Sequence, residues 1–231
     1  MLVGGALTIA AIAVLAPRLR AGGERALLGQ ASDPHGPLAG LTAAALNRAT
    51  GAVNRAALAA AAPRRGAHLL DVGFGGGGLI ERALDDWPGV HVAGADPSHE
   101  MVARIAARRA ADMADGRLRL ARAGVDALPW PAASFDCVTA VFTMYFWPDP
   151  QAGLRHVARL LAPGGRLVVA VAPVAVQTRI GYGRAGFHVL PGPRVAELAE
   201  LAGLSDVVLA RGPHGVALVT ARAGPAGHPS P

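Results

Sequence analysis

The residues best suited to bind a ligand form a glycine-rich stretch, residues 71–78, directly after a short apolar run. Glycine permits positive φ angles and lets a ligand approach the backbone closely. Leu79 and Ile80 then open a helical pattern, so the glycines are predicted to form a turn between a strand and a helix. Such a turn is a common place for a nucleotide-like cofactor in an α/β protein.

An acidic residue, Asp96, stands at the end of the next apolar run. A carboxylate at this point of the fold can accept hydrogen bonds from both hydroxyls of a ribose. Asp96 also precedes Pro97 and Ser98 at the start of a predicted helix, so helix capping is an alternative role. The spacing of the glycine turn and Asp96 indicates a cofactor that contains a nucleoside.

The glycines alone do not distinguish NAD from S-adenosylmethionine, because Gly73, Gly75 and Gly78 also satisfy the dinucleotide pattern G-x-G-x-x-G. The distinguishing residue is Asp71, where a dinucleotide-binding strand normally carries an apolar residue. A negative charge there would repel the phosphates of NAD. It suits a cofactor with an ammonium and a sulfonium, so the sequence favours S-adenosylmethionine.

Short apolar runs alternate with helical patterns through the rest of the chain, as expected for a parallel sheet. A long helix is predicted near 38–62. Strands are predicted at 68–72, 90–95, 118–121, 135–142 and 166–171, with helices near 79–86, 99–112, 150–161 and 193–201. The Pro-Gly-Gly sequence at 163–165 predicts a turn between the helix near 150–161 and the strand at 166–171. Two strands near 206–210 and 215–221 would close the domain as a hairpin. We therefore expect an α/β fold with a Rossmann-like open, mostly parallel sheet, helices on both faces and an antiparallel C-terminal strand.

The first 17 residues form an apolar run interrupted only by Thr8 and followed by several arginines. As a helix it would be about 25 Å long, which is short of the roughly 30 Å hydrocarbon core of a bilayer. Three interpretations stay open: a membrane anchor with the arginines on the cytoplasmic side, a helix packed on the domain, and a mistaken start codon. We expect a cytoplasmic protein, with contact of residues 1–20 to the inner face of the membrane as one option.

The chain divides into three parts on this interpretation. Residues 1–37 are an apolar segment and linker, residues 38–223 form the domain, and residues 224–231 are predicted to be a disordered tail because they lack an apolar pattern.

Composition excludes several classes of protein. All 22 basic residues are arginine and the formal net charge is +6, but the arginines are scattered without interleaved aromatic residues, which argues against nucleic-acid binding. Cys137 is the single cysteine, which excludes an intrachain disulfide and a thiolate metal cluster. The eight histidines lack metal-ligand spacing, so no metal is predicted.

Four ordered motifs give the chain a resemblance to a known family: residues 69–78, residues 94–98 with Met101, residues 128–130 followed by 134–136, and residues 160–165. On them, roughly residues 38–221 resemble class I S-adenosylmethionine-dependent methyltransferases of the type 11 group, similar to the ubiquinone and menaquinone C-methyltransferase branch. The resemblance implies methyl transfer to a small-molecule or lipid-like acceptor. The alternatives are a nicotinamide-dependent oxidoreductase and a non-catalytic cofactor-binding module.

The resemblance also implies the cofactor contacts. The acid and the glycine loop would hold the methionine end, Asp96 the ribose, and Met101 with its neighbours would cover the adenine. Family members place an acid just before the Leu-Pro-aromatic motif, where this chain has Gly124, so Asp126 or the backbone amide of Val125 is expected to meet the adenine. The predicted cofactor-binding residues are Asp71, Gly73, Phe74, Gly75, Gly77, Asp96, Pro97, Met101, Val125 and Asp126.

An aromatic group, Tyr145, Phe146 and Trp147, follows the strand at 135–142. It would lie at the carboxyl end of the sheet, where ligands bind in open α/β folds, and is the predicted substrate wall. A wedge for the next helix is the alternative. Residues 176–192 are long enough for a substrate lid and contain His188. Tyr145 and His188 are the candidates for a catalytic base; the acceptor atom and the oligomeric state stay open.

Overall fold

A computed structural model of the protein describes residues 39–225 of the chain, with side chains from residue 50 onward. Its strands are β1 (His68–Val72), β2 (His91–Asp96), β3 (Leu118–Arg122), β4 (Phe135–Val141), β5 (Leu161–Val171), β6 (Ser205–Arg211) and β7 (Ala217–Arg222). Its helices are α1 (Ala39–Ala61), α2 (Gly78–Asp86), α3 (His99–Arg108), α4 (Ala110–Ala114), α5 (Pro150–Leu160), α6 (Val174–Ile180) and α7 (Gly192–Leu201).

The strands form one seven-stranded sheet in the order β3-β2-β1-β4-β5-β7-β6. Strands β1 to β5 pair in parallel, whereas β7 is antiparallel to both of its neighbours, β5 and β6. The chain builds outward from β1 in one direction and then from β4 in the other, so the strand order reverses between β1 and β4. The predicted fold class is confirmed.

The central strands are buried on both faces, which explains why they read as continuous apolar runs. Leu69 and Leu70 are consecutive in β1 and both are fully buried, one in each of two apolar clusters. Helices α1, α2 and α3 contribute to the cluster on one face, and α5 and α7 to the cluster on the other. The sheet is therefore covered on both sides, and its edges are the places where polar groups reach solvent.

Side-chain caps fix the helices that follow two of the strands. Ser98 accepts a hydrogen bond from the Met101 amide at the start of α3. Asp149 accepts from the amides of Gln151 and Ala152 at the start of α5. Each cap satisfies amides that have no partner within the helix, so the sequence defines where these helices begin.

The structure departs from the predicted elements in three places. β5 begins at Leu161, so the predicted turn at 163–165 lies inside the strand; Leu161 pairs with Phe135 and the register then shifts, with Gly164 at φ +73°. The predicted helix 99–112 divides at Arg109, whose φ is −117°. The predicted lid contains the short helix α6.

Two predictions concern the ends of the chain. The apolar segment at residues 1–37 and nearly all of the predicted tail at 224–231 lie outside the described residues. Within residues 39–225, no helix combines the length and the apolar character needed to cross a membrane.

Candidate cofactor and substrate site

A cavity of about 370 Å³ opens at the carboxyl edge of the sheet, beside the point where the strand order reverses. Its volume lies within the range of small-molecule sites, and its position is where open α/β sheets bind ligands. The described residues that line it are Thr50, Asn54, residues 71–76, Gly78, Leu79, Asp96, Pro97, residues 123–126, residues 141–143 and residues 146–148.

Two positions of the glycine turn accept no other residue without rearrangement. Gly73 has φ +69°, and a Cβ atom there would lie 2.0 Å from Oγ1 of Thr143. Gly77 has φ +77°, and its Cβ would lie 2.2 Å from Cδ1 of Ile105 in α3. The turn is thus packed against the residues that follow β4 on one side and against α3 on the other, which brings its backbone to the cavity.

The buried carboxylate of Asp96 links the turn to the next helix. Its Oδ2 accepts a hydrogen bond from the Gly75 amide at 2.8 Å, and its Oδ1 accepts from the Ser98 amide at 2.9 Å. A carboxylate offers about four acceptor positions, so these bonds are compatible with a ribose contact. The capping and ligand-binding roles weighed from the sequence therefore do not exclude each other.

Asp71 is buried at the carboxyl end of β1 with 3% of its surface exposed. Its Oδ1 accepts a hydrogen bond from Oγ1 of Thr139 in β4 at 2.8 Å. Burial raises the pKa of Asp71 to about 7, the Thr139 bond lowers it, and the charge of Asp96 raises it again. A cationic ligand group would stabilise the charged form. The position suits an ammonium and disfavours a phosphate.

The space beside Gly124 is filled by a neighbouring carboxylate. A Cβ atom on Gly124 would lie 2.7 Å from Oδ1 of Asp126. The Asp126 carboxylate therefore occupies the space that a side chain at position 124 would fill. Val125 and Asp126 both line the cavity, Val125 buried and Asp126 exposed. The adenine contact of Asp126 stays a prediction, now with a geometric reason.

The aromatic group separates into lining and supporting residues. Phe146 and Trp147 line the cavity, whereas Tyr145 is buried behind it and its hydroxyl accepts a hydrogen bond from the Ala172 amide. Burial and the neighbouring Tyr182 raise the pKa of Tyr145 well above its usual value, although the Ala172 bond lowers it. His188 is half-buried and donates its amide proton to the carbonyl of Tyr145.

Of four other predicted cofactor-binding residues, two line the cavity and two do not. Met101 is fully buried in α3 within an apolar cluster, and neither Met101 nor Gly77 is among the residues that line the cavity. Phe74 and Pro97 line it. The cofactor contacts of all of them stay predictions.

A buried amide holds the segment after β5 against the substrate wall. Nε2 of Gln177 donates to the carbonyls of Ala172 and Leu190, and Oε1 accepts from the Leu190 amide, all within 2.7–2.8 Å. The segment between these points carries Tyr182 and Phe187, whose rings contact the ring of Phe146 at centroid distances of 5.6 and 4.9 Å. The Gln177 amide therefore ties the two ends of the predicted lid to each other.

Several site residues escaped the sequence analysis. Thr50 and Asn54 reach the cavity from α1 and share one face because they are four residues apart, and Asn54 donates to Thr50 at 3.3 Å. Thr139 was missed although a hydroxyl inside an apolar strand is a usable signal. Phe142 lines the cavity at φ +56°, an unusual angle for a residue other than glycine.

The charge of this cavity has one sign. Among residues 50–225, its lining contains three carboxylates, Asp71, Asp96 and Asp126, and no cationic side chain. Within the described residues, no group of three or more histidines, cysteines or acids is able to hold a metal ion. The donors and acceptors present fit S-adenosylmethionine: acids for its ammonium, ribose and adenine amino group, and the backbone amides of the glycine turn for its carboxylate.

Comparison with known proteins agrees with this geometry. Residues 69–165 match the methyltransferase domain family. The demethylmenaquinone methyltransferase of Thermus thermophilus is 40% identical over 108 residues, which are 47% of this chain and 47% of that protein. The chain spans roughly half the length of the curated relatives that it matches.

Solved structures share the fold at lower identity. Human N-acetylserotonin methyltransferase, solved with S-adenosylmethionine, superposes with a TM-score of 0.63 at 17% identity, covering 79% of this chain and 55% of that one. The cyclase SpnF superposes with a TM-score of 0.61 at 20% identity, covering 78% and 82%. Residues 69–165 thus form a methyltransferase domain, and the relatives similar to them include ubiquinone and menaquinone C-methyltransferases.

Proposed function

We propose that this protein transfers a methyl group from S-adenosylmethionine to a neutral, largely apolar acceptor of small-molecule or lipid-like type. The observation that carries the proposal is the pair of buried carboxylates, Asp71 and Asp96, on either side of a glycine turn at the switch point of the sheet. A phosphate-bearing cofactor is disfavoured by the charge of Asp71 beside the turn.

Each end of the cofactor has a group to hold it in this proposal. Asp71 pairs with the ammonium, the amides of the glycine turn hold the carboxylate, Asp96 accepts from the ribose, and Asp126 accepts from the adenine amino group. The bound cofactor supplies an electrophilic methyl group. The chain's own part is to align the acceptor with that group and to exclude water, which is the main source of rate in such a displacement.

Proton removal falls to His188 rather than Tyr145 in this proposal. The Tyr145 hydroxyl is buried and engaged with the Ala172 amide, so it supports the wall. Neither Tyr145 nor His188 is among the described residues that line the cavity. His188 lies on the segment that packs against the wall and is partly accessible. An acceptor that is already nucleophilic would need neither residue.

The acceptor class is argued from the charge and shape of the cavity. Phe142, Phe146 and Trp147 offer ring surface on its β4 side, and the described lining has no cation to balance an anionic acceptor. An aromatic, uncharged acceptor fits both features. The names of the quinone methyltransferases among the relatives agree with this class.

The direction of α1 bears on how an apolar acceptor would arrive. Thr50 and Asn54 line the carboxyl-edge cavity, whereas Ala61 lines a second cavity at the opposite edge. The first residue of α1, Ala39, is 11 residues before Thr50, or about 16 Å of helix further from the amino edge. The N-terminal end of α1 therefore lies on the cofactor side of the domain, and we propose that residues 1–20 hold this side against the inner face of the membrane.

Two alternatives remain to be separated by experiment. A nicotinamide oxidoreductase is disfavoured by the buried charge of Asp71 beside the glycine turn. A cofactor-binding module with a different activity is a real alternative, because the cyclase SpnF shares this fold and fold alone does not determine chemistry. Cofactor binding tests the first alternative and turnover tests the second.

We would measure binding of S-adenosylmethionine and of NAD to the full chain by calorimetry, with the variant Asp96→Ala. Asp115→Ala is the matched control because Asp115 is an exposed carboxylate outside the cavity lining. The proposal expects S-adenosylmethionine to bind to the wild type and the control, and to lose about a hundredfold in affinity in Asp96→Ala. Preferential binding of NAD would contradict it.

Turnover then uses a reduced menaquinone precursor with a short tail and, in parallel, an anionic phenolic acid of similar size. Methylation of the neutral acceptor in preference to the anion is the expected result. Cofactor binding without methylation of either acceptor class would favour the module interpretation over methyl transfer.

A further inference from the structure

A second cavity, of about 460 Å³, lies at the amino edge of the sheet, opposite the cofactor cavity. It is enclosed by the connection between α1 and β1, by the first residues of β4, by residues 163–166 of β5 and by the end of β7. The proposed methyl transfer makes no use of it.

Four arginines face this cavity, Arg64, Arg65, Arg166 and Arg222, against one carboxylate, that of Asp136. Its described lining thus carries a net charge of +3, from four positive groups and one negative group. Oδ2 of Asp136 accepts a hydrogen bond from the His68 amide at 2.8 Å, so part of its acceptor capacity is used by the backbone. The positive charge is concentrated here without a matching set of acids.

Two of the arginines are held in place by backbone carbonyls. Nη1 of Arg166 donates to the carbonyl of Ala60 at 2.7 Å, at the C-terminal end of α1. Nη1 of Arg222 donates to the carbonyl of Gly164 at 3.2 Å, and its Nε lies 3.9 Å from Oδ2 of Asp206, an exposed carboxylate outside the described lining. A guanidinium has five N–H donors, so one such bond fixes the group and leaves donors for an anion. Its charge is not neutralised by a carbonyl.

The other two arginines, Arg64 and Arg65, are consecutive and exposed, and neither has an ion pair or side-chain hydrogen bond within the described part of the chain. Some other arginines are paired with acids: Arg109 and Arg117, for example, bond to Asp85 and Asp112. Like charges side by side repel, and an anion relieves that repulsion.

We infer that this amino-edge cavity binds a phosphate group. Guanidinium groups recognise phosphate through paired, charge-assisted hydrogen bonds, and arginines on the α1–β1 connection, β5 and β7 can reach one anion from different sides. The volume admits a phosphate monoester or diphosphate. The site is separate from the cofactor cavity, so its occupation does not require methyl transfer.

The test is calorimetry of the full chain with inorganic pyrophosphate at low ionic strength, because screening weakens exposed charge pairs. The variant Arg64→Gln/Arg65→Gln removes two charges from the cavity. Arg155→Gln/Arg159→Gln removes two exposed charges from α5 and is the matched control for net charge. The expected result is one saturable site in the wild type and control, weakened at least about tenfold in the cavity variant.

A second variant, Asp136→Asn, has the opposite expected sign. It removes the single carboxylate of the described lining while its amide oxygen can still accept from the His68 amide, so pyrophosphate should bind several-fold more tightly. Equal affinity in the cavity variant and the α5 control, or absence of a saturable site in the wild type, would overturn the proposal. Unchanged S-adenosylmethionine binding in every variant shows that the protein is folded and keeps this test independent of the proposed function.

Vesicles distinguish the two sources of a phosphate group. If the ligand is a lipid headgroup, phosphatidylglycerol vesicles will bind the wild type more strongly than Arg64→Gln/Arg65→Gln, and pyrophosphate will compete. If the ligand is a free phosphate compound, the two proteins will bind these vesicles equally while differing in pyrophosphate affinity. Residues 1–38 are the same in both variants and in the α5 control. Any contribution that they make to vesicle binding therefore cancels when these proteins are compared.

Discussion

The two edges of the sheet carry opposite charge. Three carboxylates and no cation line the described part of the carboxyl-edge cavity, whereas four arginines and one carboxylate line the cavity at the amino edge. The strands between them are apolar and buried, so the contrast is made entirely by residues at strand ends and in the connections. The net charge of +6 predicts neither edge; ligand class follows from where the charges are placed.

The two edges also differ in what their charges cost the fold. The arginines at the amino edge are exposed or half-buried and keep contact with water. At the carboxyl edge Asp71 is 3% exposed, and burial of a carboxylate without a cationic partner is strongly unfavourable. The buried carboxylate at the acidic edge therefore lowers the stability of the fold, whereas the arginines at the basic edge do not. Substitutions at the acidic edge test this difference.

Asp71→Asn is the strongest of these tests. The pKa of Asp71 is about 7 in the fold against 3.8 for an exposed carboxyl, so the protonated form is favoured in the folded state. Its contribution to the free energy of unfolding is complete below pH 3.8 and is lost as pH rises through 7. At pH 8 the neutral variant should be more stable than the ligand-free wild type by up to about 4 kcal/mol. Urea denaturation at pH 5 and pH 8 measures this.

The same variant should lose S-adenosylmethionine binding, which separates its two effects. Asp115→Asn, on the surface, should change neither stability nor binding. If the wild type and Asp71→Asn lose the same free energy of unfolding between pH 5 and pH 8, then Asp71 is not the source of the pH dependence and the acidic edge carries no such penalty.

Gln177→Leu tests whether one amide holds the substrate wall at this edge. The substitution leaves the Ala172 carbonyl and both backbone groups of Leu190 without their partner, and should lower the free energy of unfolding by about 3 kcal/mol. Thermal denaturation measures the loss. The acceptor KM should rise while S-adenosylmethionine affinity stays constant.

Gln151→Leu is the matched control. Gln151 has one long side-chain bond, 3.5 Å to the Leu198 carbonyl, and its Oε1 has no partner among the described residues. Its replacement should change stability by less than about 1 kcal/mol. Equal losses from Gln177→Leu and Gln151→Leu would mean that the segment after β5 is held by its apolar contacts instead.

Local patterns predicted the elements that position the site. The acid and glycines at 71–78 defined β1 and its turn, and Pro97 with Ser98 marked a helix start because caps are local interactions. The hairpin of β6 and β7 was predicted from two short apolar runs near the end of the chain. Local turn chemistry misled at 163–165, since pairing of Leu161 with Phe135 extends β5 through these residues.

Features made by distant residues were not predictable in this way. Thr139 meets Asp71 through the register of β1 with β4, and the bonds of Gln177 to Ala172 and Leu190 require the closed segment. The amino-edge cavity gathers Arg64 and Arg222, which are 158 positions apart (222 minus 64). Scattered arginines in the sequence thus became a cluster in the fold.

Asp126→Ala tests the proposed adenine contact at the acidic edge. If the Asp126 carboxylate takes the place of an acid at position 124, its removal should weaken S-adenosylmethionine binding about tenfold, the value of one hydrogen bond to a charged group. Gly124 has φ −76°, which any residue can adopt, so Gly124→Asp in the Asp126→Ala background should restore affinity. Calorimetry of the three proteins measures this.

Gly124→Asp alone is the informative control. Its Cβ would lie 2.7 Å from Oδ1 of Asp126, so two carboxylates would compete for one space and binding should not improve. Failure of the double variant to recover, with Asp126→Ala already impaired, would mean that Asp126 acts through the Val125–Ala127 turn and not through its carboxylate.

Phe146→Leu probes the apolar side of the same edge and has the smallest expected effect. Phe146 lines the cavity, whereas Phe187, in ring contact with it, is not among the lining residues. Replacing the ring of Phe146 by an aliphatic side chain removes aromatic contact worth about 1 kcal/mol, so KM for a neutral aromatic acceptor should rise roughly fivefold with S-adenosylmethionine affinity unchanged. Phe187→Leu should lower stability by a similar amount and leave KM alone. A larger effect on KM from Phe187→Leu than from Phe146→Leu would place the acceptor against the segment after β5, and the division between cavity-lining and supporting aromatic residues would have to be reversed.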